Sequence, residues 1–192
     1  MKQWALMGFL MVFACYAAAE TCDYTAPALV NIQYQEGPFT PVYFSNYQFN
    51  LPAKPEALLS GEGFVASFGR HGYIGLHPLA ARPWGDQTGR FESLSSVADD
   101  YRLIYGLLSS KGLNGEEQKE LRRQRSLLKM DCTSVVKHYL INGSVEVVWQ
   151  ASKSEGEFDS IFILGAKNAE LITVRLPVEE VRRVIFSIKR RR

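Results

Sequence analysis

Several things are missing from this 192-residue chain, and each absence closes a door. After the first twenty positions no apolar run is long enough to cross a bilayer, a crossing that needs roughly 20 residues. There are only three histidines, at 71, 77 and 138, and three cysteines, none at tight metal-ligand spacing; a zinc site is not expected. No Gly-x-Ser-x-Gly occurs, so the strained nucleophile turn of serine hydrolases is absent. The formal net charge is only +2, too small to demand nucleic acid. No internal repeat or low-complexity tract is present, which excludes solenoids and linker-like sequence. No cofactor is implied.

What is present begins with an export pattern. Lys2 gives a positive start, Trp4 to Tyr16 is an uncharged apolar run, and Ala17-Ala18-Ala19 supplies small residues for a signal peptidase. Residues 1–19 are predicted to be a cleaved signal peptide, with Glu20 the new N-terminus. The run is too short for a comfortable membrane anchor. Lipid attachment at Cys15 is the variant of this reading, and bulky Phe13 fits its signature poorly. Residues 20–192 then form a single domain of about 170 residues, enough for a sizeable core. Hydrophobic content of 46% and charged content of 22% are ordinary for a globular chain. Cleavage leaves Cys22 and Cys132. They form either one disulfide or two buried thiols, and an even count in an oxidising compartment favours the disulfide. A loop of that length, about 110 residues, is worth roughly 4–5 kcal/mol in the chain-entropy model.

The pattern along the chain is mixed. Residues 29–34 alternate as a strand. Residues 42–51 alternate more clearly and predict one strand stopped by Pro52 and Pro55. Residues 63–79 read as two strands about a turn at Gly69 to Gly72, followed by a polar loop over 80–92. Ser95 or Ser96 caps a helix running to about Ser109, with Val97, Tyr101, Ile104 and Leu108 on one face. Asn114, with Glu117 three later, has the form of a capping box. The charged helix it opens offers only Leu121, Leu127, Leu128 and Met130 to a core. Asn142-Gly143 between 135–141 and 144–150 predicts a hairpin. A second hairpin joins 160–164 to 171–176. Pro177 opens a last helix whose stripe is Val178, Val181, Val184, Ile185 and Ile188. The fold class is therefore α+β: six to eight strands in a mainly antiparallel sheet built from hairpins, a C-terminal amphipathic helix packed on it, and an inserted helical pair at about 95–130.

Two stretches carry a family resemblance. Tyr47 to Pro52 (YQFNLP) resembles the opening strand of the PsbP-like family of exported α/β/α sandwiches, which ends in a proline. Ile161 to Ile163, Leu171 to Val174 and the helix ending at Val184 to Ile188 resemble its closing elements. The resemblance implies a scaffold used for binding and accessory roles, and it assigns no functional residue.

The chemistry on offer is thin. Arg70-His71-Gly72 matches the opening of histidine phosphatases, where a histidine attacks phosphorus beside an anion-binding arginine. The second histidine lacks its carboxylate neighbour, because Pro78 follows His77 and Tyr139 follows His138. A turn between strands is the plainer reading. Asn142-Gly143-Ser144 is formally a glycosylation acceptor but reads as a turn. Lys189 to Arg192, with Arg182 and Arg183, gives a basic C-terminus. It is either a solvated tail or a surface for peripheral contact with an anionic membrane or an acidic protein. Aromatics crowd 34–49, and in alternating strands they cannot all face inward. Tyr43, Phe44 and, on the 80–92 loop, Trp84 are the candidate binding residues. The sequence therefore predicts an exported, non-enzymatic protein that acts on a protein partner, as an inhibitor or immunity protein of the cell envelope does. The alternative is a carrier of a small apolar ligand or lipid.

Overall fold

Hairpin chemistry lays down most of the main sheet in the computed structural model, which describes residues 24–36, 40–60, 63–79, 91, 94–154 and 156–191. The clearest hairpin joins β7 (Val136–Ile141) to β8 (Val145–Gln150). Asn142 and Gly143 at its turn both take positive φ, 47° and 64°, a backbone that these two residue types tolerate. β9 (Asp159–Leu164) and β10 (Ala169–Arg175) form the next. β4 (Ala57–Ser60), β5 (Phe64–Ser67) and β6 (Tyr73–Leu79) form a meander. With β1 (Leu29–Ile32), the eight strands run in the order β1-β7-β8-β9-β10-β6-β5-β4. All neighbours are antiparallel except β1, which lies parallel to β7.

Alternation along each strand gives the sheet two buried faces. On β8, Val145, Val147 and Trp149 face one side, and Val148 faces the other. That other side carries α1 (Val97–Ile104) and α2 (Gly115–Leu127), packed through Tyr101, Leu103, Ile104, Tyr105 and Leu121 against Val148, Phe162 and Leu164. Ser96 caps α1 by accepting from the Asp99 N–H, and Asn114 with Glu117 completes the capping box of α2. The opposite side carries α3 (Val178–Phe186) and a small sheet in the order β11-β3-β2. Its strands are β2 (Pro41–Phe44), β3 (Tyr47–Asn50) and β11 (Lys189–Arg190). Val181, Val184, Ile185 and Ile188 are fully buried there, each contributing about 1.5–3 kcal/mol before the entropy of ordering is subtracted.

The fold is the expected α+β arrangement of a mainly antiparallel sheet, a terminal helix and an inserted helical pair. Five details differ. α1 ends at Ile104, short of the expected Ser109, so Leu108 lies beyond the helix. The single strand expected over 42–51 is a hairpin, because Ser45 adopts φ 47° and reverses the chain. The turn also reassigns Tyr43: an unbroken strand would set it on one side with Tyr47 and Phe49, whereas pairing Phe44 with Tyr47 and Val42 with Phe49 puts those four on one face and Tyr43 on the other. β4 has no counterpart in the sequence reading, since all four of its residues are exposed and no burial pattern marks it. Lys189 and Arg190 are not a solvated tail but a strand paired with β3. Val178 and Leu127, expected in apolar stripes, are about half exposed at helix ends, where the stripe runs off the core. Residues 1–19 and Cys22, and with them the signal peptide and the disulfide, lie outside the described residues.

Candidate functional site: a cation–tyrosine face on the small sheet

The small sheet presents one side to the core and the other to solvent. Val42, Phe44, Tyr47 and Phe49 point inward. Tyr43, Gln48 and Lys189 stand at one register level across the three strands and point outward. Tyr43 is 59% exposed.

The outward residues are held by hydrogen bonds that reach across the chain. The Asn50 N–H donates to Ser187 Oγ at 2.9 Å, and that buried hydroxyl donates to the Val184 carbonyl at 2.8 Å. This ties β3 to the end of α3. The Arg191 N–H donates to the Asn46 carbonyl at 2.8 Å, fastening the segment after β11 onto the β2–β3 turn. From the other side, the Asn142 N–H donates to the Ile32 carbonyl at 3.0 Å, and the Tyr34 N–H donates to Asn142 Oδ1 at 2.9 Å. The Gln35 N–H donates to the Phe186 carbonyl at 2.9 Å. The β7–β8 turn thus delivers Tyr34 to the end of α3, beside Lys189.

The outcome is two cation–ring pairs, one at each side of β11. The Lys189 ammonium sits 4.8 Å from the Tyr34 ring centre, and the Arg191 guanidinium sits 5.3 Å from that of Tyr43. Among the described residues no carboxylate forms an ion pair with Lys189, Arg190 or Arg191. A ring face attracts a cation through its quadrupole but takes up none of the N–H donors that suit a carboxylate. The face can therefore bind anionic groups through cations already oriented by the rings beneath them.

A buried acid lies under the same hairpin. Glu170 on β10 is 7% exposed, and its Oε2 has no hydrogen-bond partner among the described residues. Burial pushes its carboxyl above the usual glutamate range, and a hydrogen bond with Ser45 opposes the rise. Burial likewise raises the Tyr47 phenol, with Arg190 pulling it back.

The structure divides the expected binding residues. Tyr43 faces solvent, whereas Phe44 is half-buried against the core. Trp84 lies outside the described residues, as does Cys22. Cys132 sits in the turn between α2 and β7. The three histidines are not brought together. Arg70 and His71 are exposed on a 3₁₀ turn. The glycine that follows them is a backbone requirement: Gly72 has φ 117°, and a Cβ there would overlap the Arg175 carbonyl. His77 lies 3.4 Å from Thr173 Oγ1, and His138 pairs with Glu146 at 3.0 Å. β6 and β7 are four strand intervals apart in the sheet, about 19 Å at the usual spacing. Sequence reasoning marked the aromatic cluster and the basic run but not their pairing. Tyr34 and the role of Asn142 in placing it had no local signal.

A second concavity, a cleft of about 450 Å³, opens where the end of α2 meets the β8–β9 connection. Leu127, Leu128 and Phe158 line it, and two ion pairs stand at its edge, Lys129–Glu157 at 3.0 Å and Lys153–Asp131 at 2.6 Å. No family model, curated protein or solved structure matches the chain.

Proposed function

We propose that this is an exported, non-enzymatic binding protein that acts through protein contact, of the inhibitor or immunity type found at a cell envelope. Its contact surface is the outer face of the small sheet. One observation carries the reading: exposed Tyr43 and the ring-stacked cations Arg191 and Lys189 stand on one face, and these cations have no carboxylate partner among the described residues. Exposed tyrosine and arginine are the residue types that anchor protein interfaces. Export rests on the pattern of Lys2, the apolar run and Ala17 to Ala19. It places the protein in the periplasm of a bacterium, or outside the cell otherwise, where Cys22 and Cys132 pair.

Affinity capture from envelope and secreted extract, with residues 20–192 as bait, tests the reading. One stoichiometric protein is expected, and Tyr43→Ala should reduce its capture about tenfold, the loss of a typical aromatic anchor. Capture indifferent to Tyr43→Ala would remove this face from the account. If the purified chain instead retains a lipid or small molecule, the protein is a carrier. The cleft beside Leu127 and Phe158 favours that second reading, since its volume lies in the range of small-ligand sites.

A further inference from the structure

We infer that the outer face of the small sheet takes an acidic, extended segment of a partner protein, with carboxylates at alternate positions seated on Lys189 and Arg191. The inference rests on the protein-contact reading above and names the chemistry of the partner. Lys189 and Arg191 are two residues apart along one edge of the small sheet; Arg191 reaches the exposed ring of Tyr43, and Lys189 reaches Tyr34, whose ring also packs against the core. Their Cα atoms are therefore separated by about 6.7 Å, the repeat of same-side residues in any extended chain. An extended peptide with acids at i and i+2 presents its carboxylates at that same interval. Arg191 offers a planar fork that a carboxylate can engage with two hydrogen bonds, and Lys189 offers a point charge. Tyr43 adds an exposed ring for the residue between or beyond the acids.

The composition of the face favours a peptide over a lipid surface. A protein that docks on a bilayer adds apolar side chains for insertion to its cations. Among the described residues the exposed aliphatic side chains are Leu29, Val30, Leu58, Leu59, Leu127, Val135 and Val178, on β1, β4, α2, the turn before β7 and the first turn of α3. None of them lies on the small sheet.

The test uses residues 20–192 and a fluorescent octapeptide of alternating glutamate and threonine, read by anisotropy at low salt. Saturable binding is expected, weakening as salt is raised. The glutamine–threonine peptide should bind about tenfold more weakly, as should the Lys189→Gln/Arg191→Gln variant, and Lys119→Gln on α2 should bind unchanged. Each single variant, checked by its thermal melt, guards against a fold lost in the double. No binding of the glutamate peptide, equal binding of the glutamine peptide, or full binding by the double variant overturns the inference. So does tighter binding to phosphatidylserine vesicles than to the peptide. The two readings fail separately in the capture experiment. If Tyr43→Ala loses the captured protein and Lys189→Gln/Arg191→Gln keeps it, the contact reading stands and the acidic segment falls. If neither variant changes capture, both fall.

Discussion

Each face of the main sheet carries a glutamate, half-buried on one side and buried on the other, and the two are treated in opposite ways. Beneath α1, Glu146 accepts from the Arg102 guanidinium at 2.8 and 2.9 Å and contacts His138 at 3.0 Å. Arg102 also reaches Asp99 and the Gly165 carbonyl, so one guanidinium joins the helix, strand β8 and the β9–β10 loop. Burial pushes Glu146 up, but the bonds from His138 and Arg102 outweigh it and hold the carboxyl below its usual range. Beneath the small sheet, Glu170 has Ser45, and among the described residues one oxygen finds no partner. The residue type is the same. What differs is the supply of donors, and that supply decides whether a buried carboxylate helps or hinders folding. The helical face is organised around a charge, and the small-sheet face around hydroxyl and amide contacts with a charge left unresolved below.

Four changes break or sharpen that contrast. Arg102→Leu strips Glu146 of its main partner and is expected to cost about 3 kcal/mol in urea unfolding at neutral pH. In the wild type, the stability that Glu146 contributes is present above the usual glutamate range. It is lost as pH falls through that range to the lowered value. Arg102→Leu should flatten this acid-side loss, and an unchanged pH profile would refute the assignment. On the other face, Ser187→Ala leaves the Asn50 N–H buried without its acceptor, at about 1–2 kcal/mol. Glu170→Gln should act in the opposite sense and raise stability by about 1 kcal/mol at neutral pH. Its folded carboxyl is raised, so the cost of ionised Glu170 grows as pH climbs from the usual glutamate range through the raised value. The gain from the variant should therefore vanish on acidification. Thermal melts across that window read it directly, and a gain independent of pH would mean the charge is not the cause. Tyr43→Ala, at an exposed position, should move stability by no more than about 0.5 kcal/mol. A larger loss would make Tyr43 a structural residue and weaken its role in contact.

The parts of this molecule that sequence alone reveals are those whose cause is local. Asn114 and Glu117 are three residues apart and form their box within one turn; Ser96 caps α1 in the same way. Asn142-Gly143 dictates its turn by backbone preference alone. The elements that escaped depend on distant partners. β11 exists only because β3 supplies its hydrogen bonds, and its sequence, Lys-Arg, says nothing of a strand. β1 is parallel to a strand more than a hundred positions later. The Ser45-Asn46 reversal escaped because each half alternates by itself and no glycine marks the turn; only the cross-strand pairing shows that Tyr43 faces away from Tyr47 and Phe49. The candidate site suffers most, since each of its cation–ring pairs joins residues from early and late in the chain.

Synthesis separates the two halves of each pair in time. A chain emerging from its N-terminus carries Tyr34 and Tyr43 early, but the charges that complete them arrive only with Lys189 and Arg191. A product stopped short of these positions has the rings without the cations, and lacks the strand that borders β3 on one side. On the reading proposed above, a partner that reads this surface binds only chains whose synthesis has passed Arg191.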